Sequence, residues 1–346
     1  MKVLLFFSGE DSLSKSFTKG FIENSWDVSL YNYINFNTNI KNVLYERSIL
    51  LPAKTRRIIE NTYLHSIQEK YLKIVRSEKP DLVLIYNDQM VDASTVREIS
   101  KTSKVAVYLA DNPFFLQRRE HLLPMLLETN HLFAPDSFWL EQLKSVGISN
   151  SSYLIGGYNL EEDFSPEISR EDLMKYSCDL FFLGSPYQDT WGYKRALFLS
   201  KFVKMNIRIY GPGSWKYWFR YFPELEDKMV LGERISFQVL QKMLKCSKIY
   251  PIDANPGVIN GLHIRIFDSI AAGILPLVEY KKDIETAFPG YEIPVIKSYN
   301  EIPNLVSKWL NDDMKRLDLV ARLQLHLKEN YSPKFVVSKL IAKIYR

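Results

Sequence analysis

The sequence is poor in the residues that build disulfides and metal sites. Its 346 residues include two cysteines, Cys178 and Cys246, and five scattered histidines. The cysteines form no CxxC pair, so they predict neither a disulfide framework nor a redox motif and are typical of a reducing cytoplasm. There is no HExxH motif and no Cys/His cluster, so we expect no structural metal ion.

Long apolar runs and a strong excess of charge are also missing. No run reaches the roughly 18 apolar residues of a transmembrane helix. The apolar start, residues 1–7, meets the polar residues 8–11 too early for a signal peptide. The net charge of +5 comes from 45 basic and 40 acidic residues, a balance that argues against nucleic acid as partner. We therefore expect a cytoplasmic protein.

The pattern along the chain predicts an α/β fold with parallel sheets, because short apolar runs alternate with longer amphipathic stretches. The length suits two domains, which we place at 1–160 and 161–331, joined by a linker from Glu161 to Asp172. The predicted strands are 3–7, 82–86, 105–109 and 132–134 in the first half, and 180–183, 207–210, 249–252 and 274–278 in the second. The predicted helices are 63–77, 138–146, 192–205, 236–245 and 262–272. Two such halves imply a cleft between them, where ligands usually bind.

The most informative stretch is a glycine-punctuated loop that runs into a short predicted helix, residues 257–273. It places His263, Arg265 and Asp268 at the helix start and ends at Gly273. A helix N-terminus that presents a base, a guanidinium and a carboxylate suits a ligand with phosphate and ribose groups. A local Arg265–Asp268 ion pair and a structural histidine are the alternative. Asn260, with Asp253 and Asn255, adds polar groups just upstream.

The turn after strand 180–183 is a second candidate for ligand binding. Gly184 and Ser185 precede a helix that bears Lys194 and Arg195 and that Asp189 or Thr190 can cap. A glycine turn lets backbone N–H groups approach a phosphate, and the basic side chains supply the opposite charge. The alternative is an ordinary strand-to-helix turn with surface basic residues.

The loop after strand 207–210 is a third candidate. It contains Tyr210, Gly211, Gly213 and Trp215, and such a loop can line a slot for a nucleobase. The alternative is a turn closed by a buried tryptophan.

In the first half, two turns follow strand ends, Ser8-Gly9 and Ala110-Asp111-Asn112-Pro113. Asp111 is therefore a candidate general base or acceptor-binding group, although an aspartate before Asn-Pro is also a common turn former. The basic stretch from Lys41 to Arg57 is consistent with contact to a membrane or an acidic acceptor, although a solvated helix face is the favoured interpretation.

Taken in order, the motifs of the second half resemble the nucleotide-sugar-binding domain of the CgeB-like (spore maturation protein) glycosyltransferases, relatives of the large group-1 family. The shared pieces are FxGS, a Lys-Arg helix, Gly-x-Gly-x-Trp, a Gly-Leu-x-x-Arg-x-Phe-acid helix with Ala-Ala-Gly, and Phe-Pro-Gly-x-Glu-Ile. In this sequence they occupy residues 182–185, 194–195, 211–215, 261–268, 271–273 and 288–293.

The resemblance implies the GT-B fold, two Rossmann-like domains with parallel sheets that face each other across a cleft. The C-terminal helix, 332–346, would return to the first domain. The implied activity is that of a metal-independent hexosyltransferase, which moves a sugar from a UDP- or GDP-linked donor to an acceptor held by residues 1–160. The nucleotide sugar would be a co-substrate, and no other cofactor is expected. A glycan or glycolipid acceptor of polysaccharide biosynthesis, at the inner face of the membrane, would fit this family.

The resemblance also assigns roles to individual residues. Gly184, Ser185 and Arg195 would contact the phosphates, with Lys194 nearby. Asp268 would bind the ribose. Tyr210 and residues 211–215 would lie near the base. From the residues themselves, we expect Arg195 and Arg265 to stabilise the departing phosphate, with His263 as a further candidate catalytic residue, and Asp111 to be the first candidate for the base if the reaction inverts.

Related retaining enzymes carry two acidic residues separated by seven others, and these positions are Asn260 and Asp268 here. Retaining and inverting outcomes thus both stay open. A sugar-nucleotide epimerase and a catalytically silent nucleotide-binding scaffold of the same fold are the alternative functions.

Overall fold

The chain folds into two compact units. The computed structural model describes residues 1–7, 12–87, 89–115, 120–158, 166–232 and 235–345. Unit 1 comprises Met1–Gly157 and Tyr331–Arg346, and unit 2 comprises Tyr158–Asn330. The Ser8-Gly9 turn and residues 161–165 of the predicted linker lie outside the described residues. Among the described helices, none is long and apolar enough to cross a lipid bilayer.

Unit 1 is built on a six-stranded parallel sheet with the strand order β2-β1-β3-β4-β5-β6. Its strands are β1 (Lys2–Phe6), β2 (Asp27–Tyr31), β3 (Leu82–Tyr86), β4 (Lys104–Tyr108), β5 (His131–Ala134) and β6 (Ser151–Tyr153). Its helices are α1 (Ser12–Glu23), α2 (Asn39–Arg47), α3 (Ala53–Glu78), α4 (Ala93–Ile99), α5 (Leu122–Leu127) and α6 (Ser137–Ser145). The central strands β1, β3 and β4 are almost fully buried, as near-continuous apolar runs in a parallel sheet require.

The helix that follows unit 2 in the chain, α14 (Pro333–Ile344), belongs to the core of unit 1. Its residues Val336, Val337 and Leu340 pack in one buried cluster with Phe17 and Phe21 of α1. The two helices approach closely at Gly20, where a Cβ atom would lie 2.4 Å from the carbonyl oxygen of Pro333. Only glycine fits there, so this position permits the close approach of α1 and α14.

Unit 2 carries a second six-stranded parallel sheet, in the order β12-β11-β10-β7-β8-β9. Its strands are β7 (Cys178–Leu183), β8 (Ile207–Gly211), β9 (Met229–Leu231), β10 (Ser247–Ile252), β11 (Leu275–Glu279) and β12 (Val295–Ile296). The helices are α7 (Arg170–Tyr176), α8 (Thr190–Ser200), α9 (Phe237–Lys245), α10 (Ile264–Ala272), α11 (Ile284–Ala287), α12 (Ile302–Leu310) and α13 (Asp313–Asn330).

The strand order of unit 2 reverses between β7 and β10, which pair side by side. In doubly wound sheets, the crevice beyond the carboxyl ends of the strands at such a reversal is the usual place for a ligand. Here the segments that leave this point are Gly184-Ser185 after β7 and Asp253-Ala254 after β10. The fold therefore brings two of the predicted loops to one edge.

Candidate functional site

A cavity of about 930 Å³ opens at this edge of unit 2. The sheet lines it through Leu183, Tyr210 and Tyr250, and helix α9 lines it through an apolar wall that includes Leu240 and Met243. Seven of the residues singled out from the sequence contribute to its walls, namely Gly184, Ser185, Tyr210, Gly211, His263, Arg265 and Asp268. Its volume is in the range of small-molecule sites.

Two glycines and a tryptophan shape the floor of this cavity. The indole Nε1 of Trp215 donates a hydrogen bond to the carbonyl oxygen of Gly184 over 2.8 Å, and the Trp215 side chain is fully buried. A Cβ atom on Gly211 would lie 2.3 Å from this Nε1 and 2.7 Å from the same carbonyl. Trp215 is thus the buried closure of the turn, as the simpler interpretation of its loop predicted, and it ties together the ends of β7 and β8.

Helix α10 begins beside the cavity and is capped by His263. The backbone N–H of Arg265 donates to Nδ1 of His263 over 3.1 Å, so the ring carries its proton on Nε2 when it is neutral. Burial and the charge of Arg265 lower the pKa of His263 from 6.5 to about 3. A neutral ring with Nδ1 occupied and Nε2 protonated has no nitrogen free to accept a proton. The structure therefore gives His263 a capping and donor role, not that of a base.

The guanidinium of Arg265 lies between the turn after β7 and a buried carboxylate. Its Nη1 is 3.8 Å from Oδ1 of Asp253, and its Cζ is 5.4 Å from the centre of the Phe182 ring. A Cβ atom on Gly184 would come within 3.2 Å of its Nη2. The backbone of Gly184 and the guanidinium of Arg265 are therefore closely packed at the cavity wall. Helix α10 ends at Gly273 in the left-handed conformation, as the sequence predicts.

Arg195, a predicted phosphate ligand, lies beneath the site. It is 2% exposed, and its Nε donates to Oδ2 of Asp253 over 2.9 Å while its Nη1 donates to the Ser185 carbonyl over 2.8 Å. Its Cζ also lies 4.6 Å from the centre of the Trp191 ring. A guanidinium enclosed in this way holds the Ser185 turn in place. The geometry therefore gives Arg195 a supporting role behind the turn, in place of the direct phosphate contact expected from the sequence.

Asp253 joins the two arginines. It is 1% exposed, and its Oδ2 accepts hydrogen bonds from Arg195 and from Nε1 of Trp191, the latter over 3.2 Å. Burial acts to raise the pKa of Asp253, but the ion pair with Arg195 and the charge of Arg265 hold it below the ordinary 3.8. One buried carboxylate faces two guanidinium groups, so this cluster carries a net positive charge beside the cavity.

Lys194 points away from this cluster, into a second one. Its Nζ donates to Oε2 of Glu279 over 2.6 Å, and Oε1 of the same carboxylate accepts from the Tyr299 hydroxyl over 2.9 Å. Burial and the charge of Glu279 raise the pKa of Tyr299. Lys194 therefore links the carboxyl end of β11 to α8, and the structure does not bring its ammonium to the cavity.

Two other predicted ligands lie apart from the cavity walls defined above. Gly213 begins a 3₁₀ helix, and a Cβ atom there would meet nothing within 4 Å. The carbonyl of Asn260 accepts from the backbone N–H of Asp283 over 3.0 Å, which anchors the loop before α10.

Asp111 lies in unit 1, in the segment after β4. Its side chain is exposed, and its Oδ2 accepts from Nδ2 of Asn87 over 2.9 Å. The Oδ1 of Asn87 in turn accepts from the backbone N–H groups of Ala110 and Asp111. Asp111 is thus held in a defined turn with an accessible carboxylate, which accords with both interpretations made from the sequence.

Sequence reasoning missed the residues that support the site. Trp191 was not singled out, Asp253 was noted only as a polar group, and Glu279 was not recognised as the partner of Lys194. A buried acid directly after an apolar strand was the available signal, because an aspartate in that position needs a cationic partner. In the described part of the chain, no group of three or more His, Cys, Asp and Glu side chains is arranged to hold a metal ion.

Residues 194–342 match the family model described as "Glycosyl transferase-like". This segment contains Gly211, Arg265 and Asp268 of the cavity. A search of curated proteins finds no match to the sequence.

Solved structures show the same fold over the whole chain. Sucrose-phosphate synthase from Thermosynechococcus elongatus has a TM-score of 0.70 at 8% identity, over 100% of this chain and 99% of that one. The Anabaena protein HepE in complex with UDP-glucose has a TM-score of 0.67 at 10% identity, again over 100% and 99%. The lipopolysaccharide outer core galactosyltransferase WaaB, at 13% identity and the same coverage, scores 0.65. The fold is that of the GT-B glycosyltransferases.

Proposed function

We propose that this protein is a metal-independent glycosyltransferase, which moves a hexose from a UDP- or GDP-linked donor to a glycan or glycolipid acceptor. The observation that carries the proposal is the cavity of about 930 Å³ in unit 2, whose walls include Gly184, Ser185, Arg265 and Asp268. Within the GT-B fold we place it with the CgeB-like subtype, on the motifs of residues 182–293.

The diphosphate would bind at the polar end of the cavity, where α10 begins. Arg265 presents a guanidinium there, the helix N-terminus adds its partial positive charge, and Gly184 lets the backbone come close. The buried Asp253 cluster adds net positive charge behind them. Together these groups stabilise the negative charge that develops on a departing nucleotide diphosphate, which supports a reaction without a metal ion.

The nucleoside would occupy the rest of the cavity. Asp268 lies one helical turn after Arg265 and lines the same wall, where its carboxylate can accept hydrogen bonds from ribose hydroxyls. The apolar wall of α9, with the amide of Gln241 among its lining residues, suits a flat base that needs one pair of directed polar contacts. Asp111 of unit 1 is the residue we propose as base if the reaction inverts.

Binding of nucleotides is the first test. Thermal unfolding of the protein is followed with UDP, GDP, CMP, ADP and TDP, and we expect one or two of them to raise the melting temperature. Arg265→Ala and Asp268→Ala should abolish that rise. Arg322→Ala, which removes an exposed arginine of α13 paired only with Asp318 among the described residues, is the matched control and should keep it. No response to any nucleotide would favour the silent scaffold.

Turnover then separates the enzyme classes. With the stabilising nucleotide attached to a sugar, a transferase releases the free nucleotide diphosphate faster when acceptor is present. An epimerase converts the donor to an isomer with no acceptor at all, and this outcome would replace the proposal. Asp111→Asn is expected to lose turnover while the nucleotide-induced rise in melting temperature stays, and unchanged turnover would remove Asp111 from the reaction.

A further inference from the structure

An exposed apolar surface in unit 1 lies outside the candidate functional site. It is formed by α2, the 3₁₀ turn that follows it and the start of α3, and we call it the 40–58 surface. Ile40 is 73% exposed, Leu50 83% and Ile58 61%. Val43, Leu44, Ile49 and Leu51 are exposed as well. Single exposed apolar side chains are ordinary, but a group of seven within 19 residues marks an interaction surface.

The surface is held in place by its inner side. The ring of Tyr45 stacks on that of Tyr63 of α3 with centroids 4.4 Å apart, and the Tyr63 hydroxyl donates to Oδ1 of Asn42 over 2.8 Å. Residues 40, 43 and 44 follow the spacing of one helix face. Since none of the residues of α2 is buried, these side chains contribute to no core, and the helix is fixed with its apolar face outward.

The charge of the 40–58 surface is predominantly positive. Residues 40–58 contain Lys41, Arg47, Lys54, Arg56 and Arg57 against the single acid Glu46. Five positive charges and one negative give a net +4, while the whole chain carries +5. Arg57 and Lys54 also line a surface depression of about 400 Å³ together with Ile58. Basic side chains around exposed aliphatic ones form the pattern that partitions into an anionic membrane interface.

We propose that the 40–58 surface docks the protein on a bilayer that contains anionic lipids. The aliphatic side chains enter the boundary between headgroups and acyl chains, and the lysine and arginine side chains stay among the phosphates. A soluble polyanion without an apolar face would match the charge but would leave Ile40, Leu50 and Ile58 in water. The combination of both features selects the lipid surface.

The test is sedimentation of the full chain with vesicles of phosphatidylcholine alone or mixed with phosphatidylglycerol. Binding is expected on the mixed vesicles only, and it should weaken strongly in about 1 M salt, where the Debye length is about 3 Å. Lys54→Gln/Arg57→Gln should lower the binding constant about fivefold for each charge removed. Ile40→Ser/Leu50→Ser should lower it at least tenfold.

Two matched variants in unit 2 serve as controls. Lys201→Gln/Lys204→Gln removes two exposed charges, and Met314→Ser/Leu317→Ser removes two exposed apolar side chains. Both should bind vesicles like the unaltered protein. The 40–58 variants should keep the nucleotide-induced rise in melting temperature, which shows that they fold. No vesicle binding, equal binding by all variants, or retention on a soluble polyanion without vesicle binding would each overturn the proposal.

Discussion

Replacing Asp253 tests whether the buried charge cluster holds unit 2 together. In Asp253→Ala the guanidinium of Arg195, 2% exposed, keeps its charge and loses the carboxylate at 2.9 Å. Breaking a buried ion pair from one side costs about 3–5 kcal/mol, because the remaining charge stays out of water. Arg265 and the Trp191 indole lose a partner in the same step.

The measurement is urea unfolding followed by circular dichroism and tryptophan fluorescence. With a urea dependence of about 2 kcal/mol per molar, the loss corresponds to a midpoint lower by about 1.5–2.5 M. Asp318→Ala, which breaks the exposed pair with Arg322 on α13, is the matched control and should cost about 0–1 kcal/mol. Asp253→Asn keeps an oxygen that can accept a hydrogen bond from Trp191. Its urea midpoint should therefore fall between those of Asp253→Ala and Asp318→Ala.

The pH dependence gives an independent check. Because the folded-state pKa of Asp253 lies below the ordinary 3.8, its contribution to stability is complete above that value and is lost as the pH falls through the folded-state pKa. The difference in unfolding free energy between the unaltered protein and Asp253→Asn should therefore be constant near neutral pH and become smaller in acid. Equal midpoints for Asp253→Ala and Asp318→Ala would refute the argument.

Three further outcomes follow from the walls of the cavity. Gly211→Ala should destabilise the protein by about 1–3 kcal/mol in the same assay, because its Cβ would displace Trp215, whereas Gly213→Ala should be nearly neutral. Asparagine is also a good N-cap residue, so His263→Asn keeps the cap of helix α10. Since the pKa of His263 falls from 6.5 to about 3 on folding, the unaltered protein loses stability as the pH drops below 6.5, and the variant should show a shallower loss. Gly184→Ala should weaken nucleotide binding at least tenfold in calorimetry, with the fold intact by circular dichroism.

The central strands of both sheets were predictable because burial on two faces demands continuous apolar runs. Predicted strands 82–86 and 249–252 lie within β3 and β10. The sheet edges were missed for the converse reason. Strand β2 reads Asp-Val-Ser-Leu-Tyr and is partly exposed, so it lacks the continuous apolar run by which the central strands were found. Helix α3 begins ten residues earlier than predicted, directly after Pro52, because its first turns are polar and show no apolar stripe.

At the site, residue types could be predicted and side-chain directions could not. The sequence placed Gly184, Arg265 and Asp268 near one ligand, and the structure brings them to one cavity. Lys194 and Arg195 are adjacent on α8, so their side chains leave the helix about 100° apart. One meets Glu279 and the other Asp253. These acids are distant in sequence, and only the fold reveals the pairing.

The place of α14 in the core of unit 1 has a consequence for synthesis of the chain. All 173 residues of Tyr158–Asn330 are made before this helix, which takes about 10–35 s at about 5–20 residues per second. Throughout that interval Phe17, Phe21 and Trp26 lack the helix that covers them. The N-terminal half therefore completes its core last, and until then α1 exposes apolar side chains that make the nascent chain prone to aggregation.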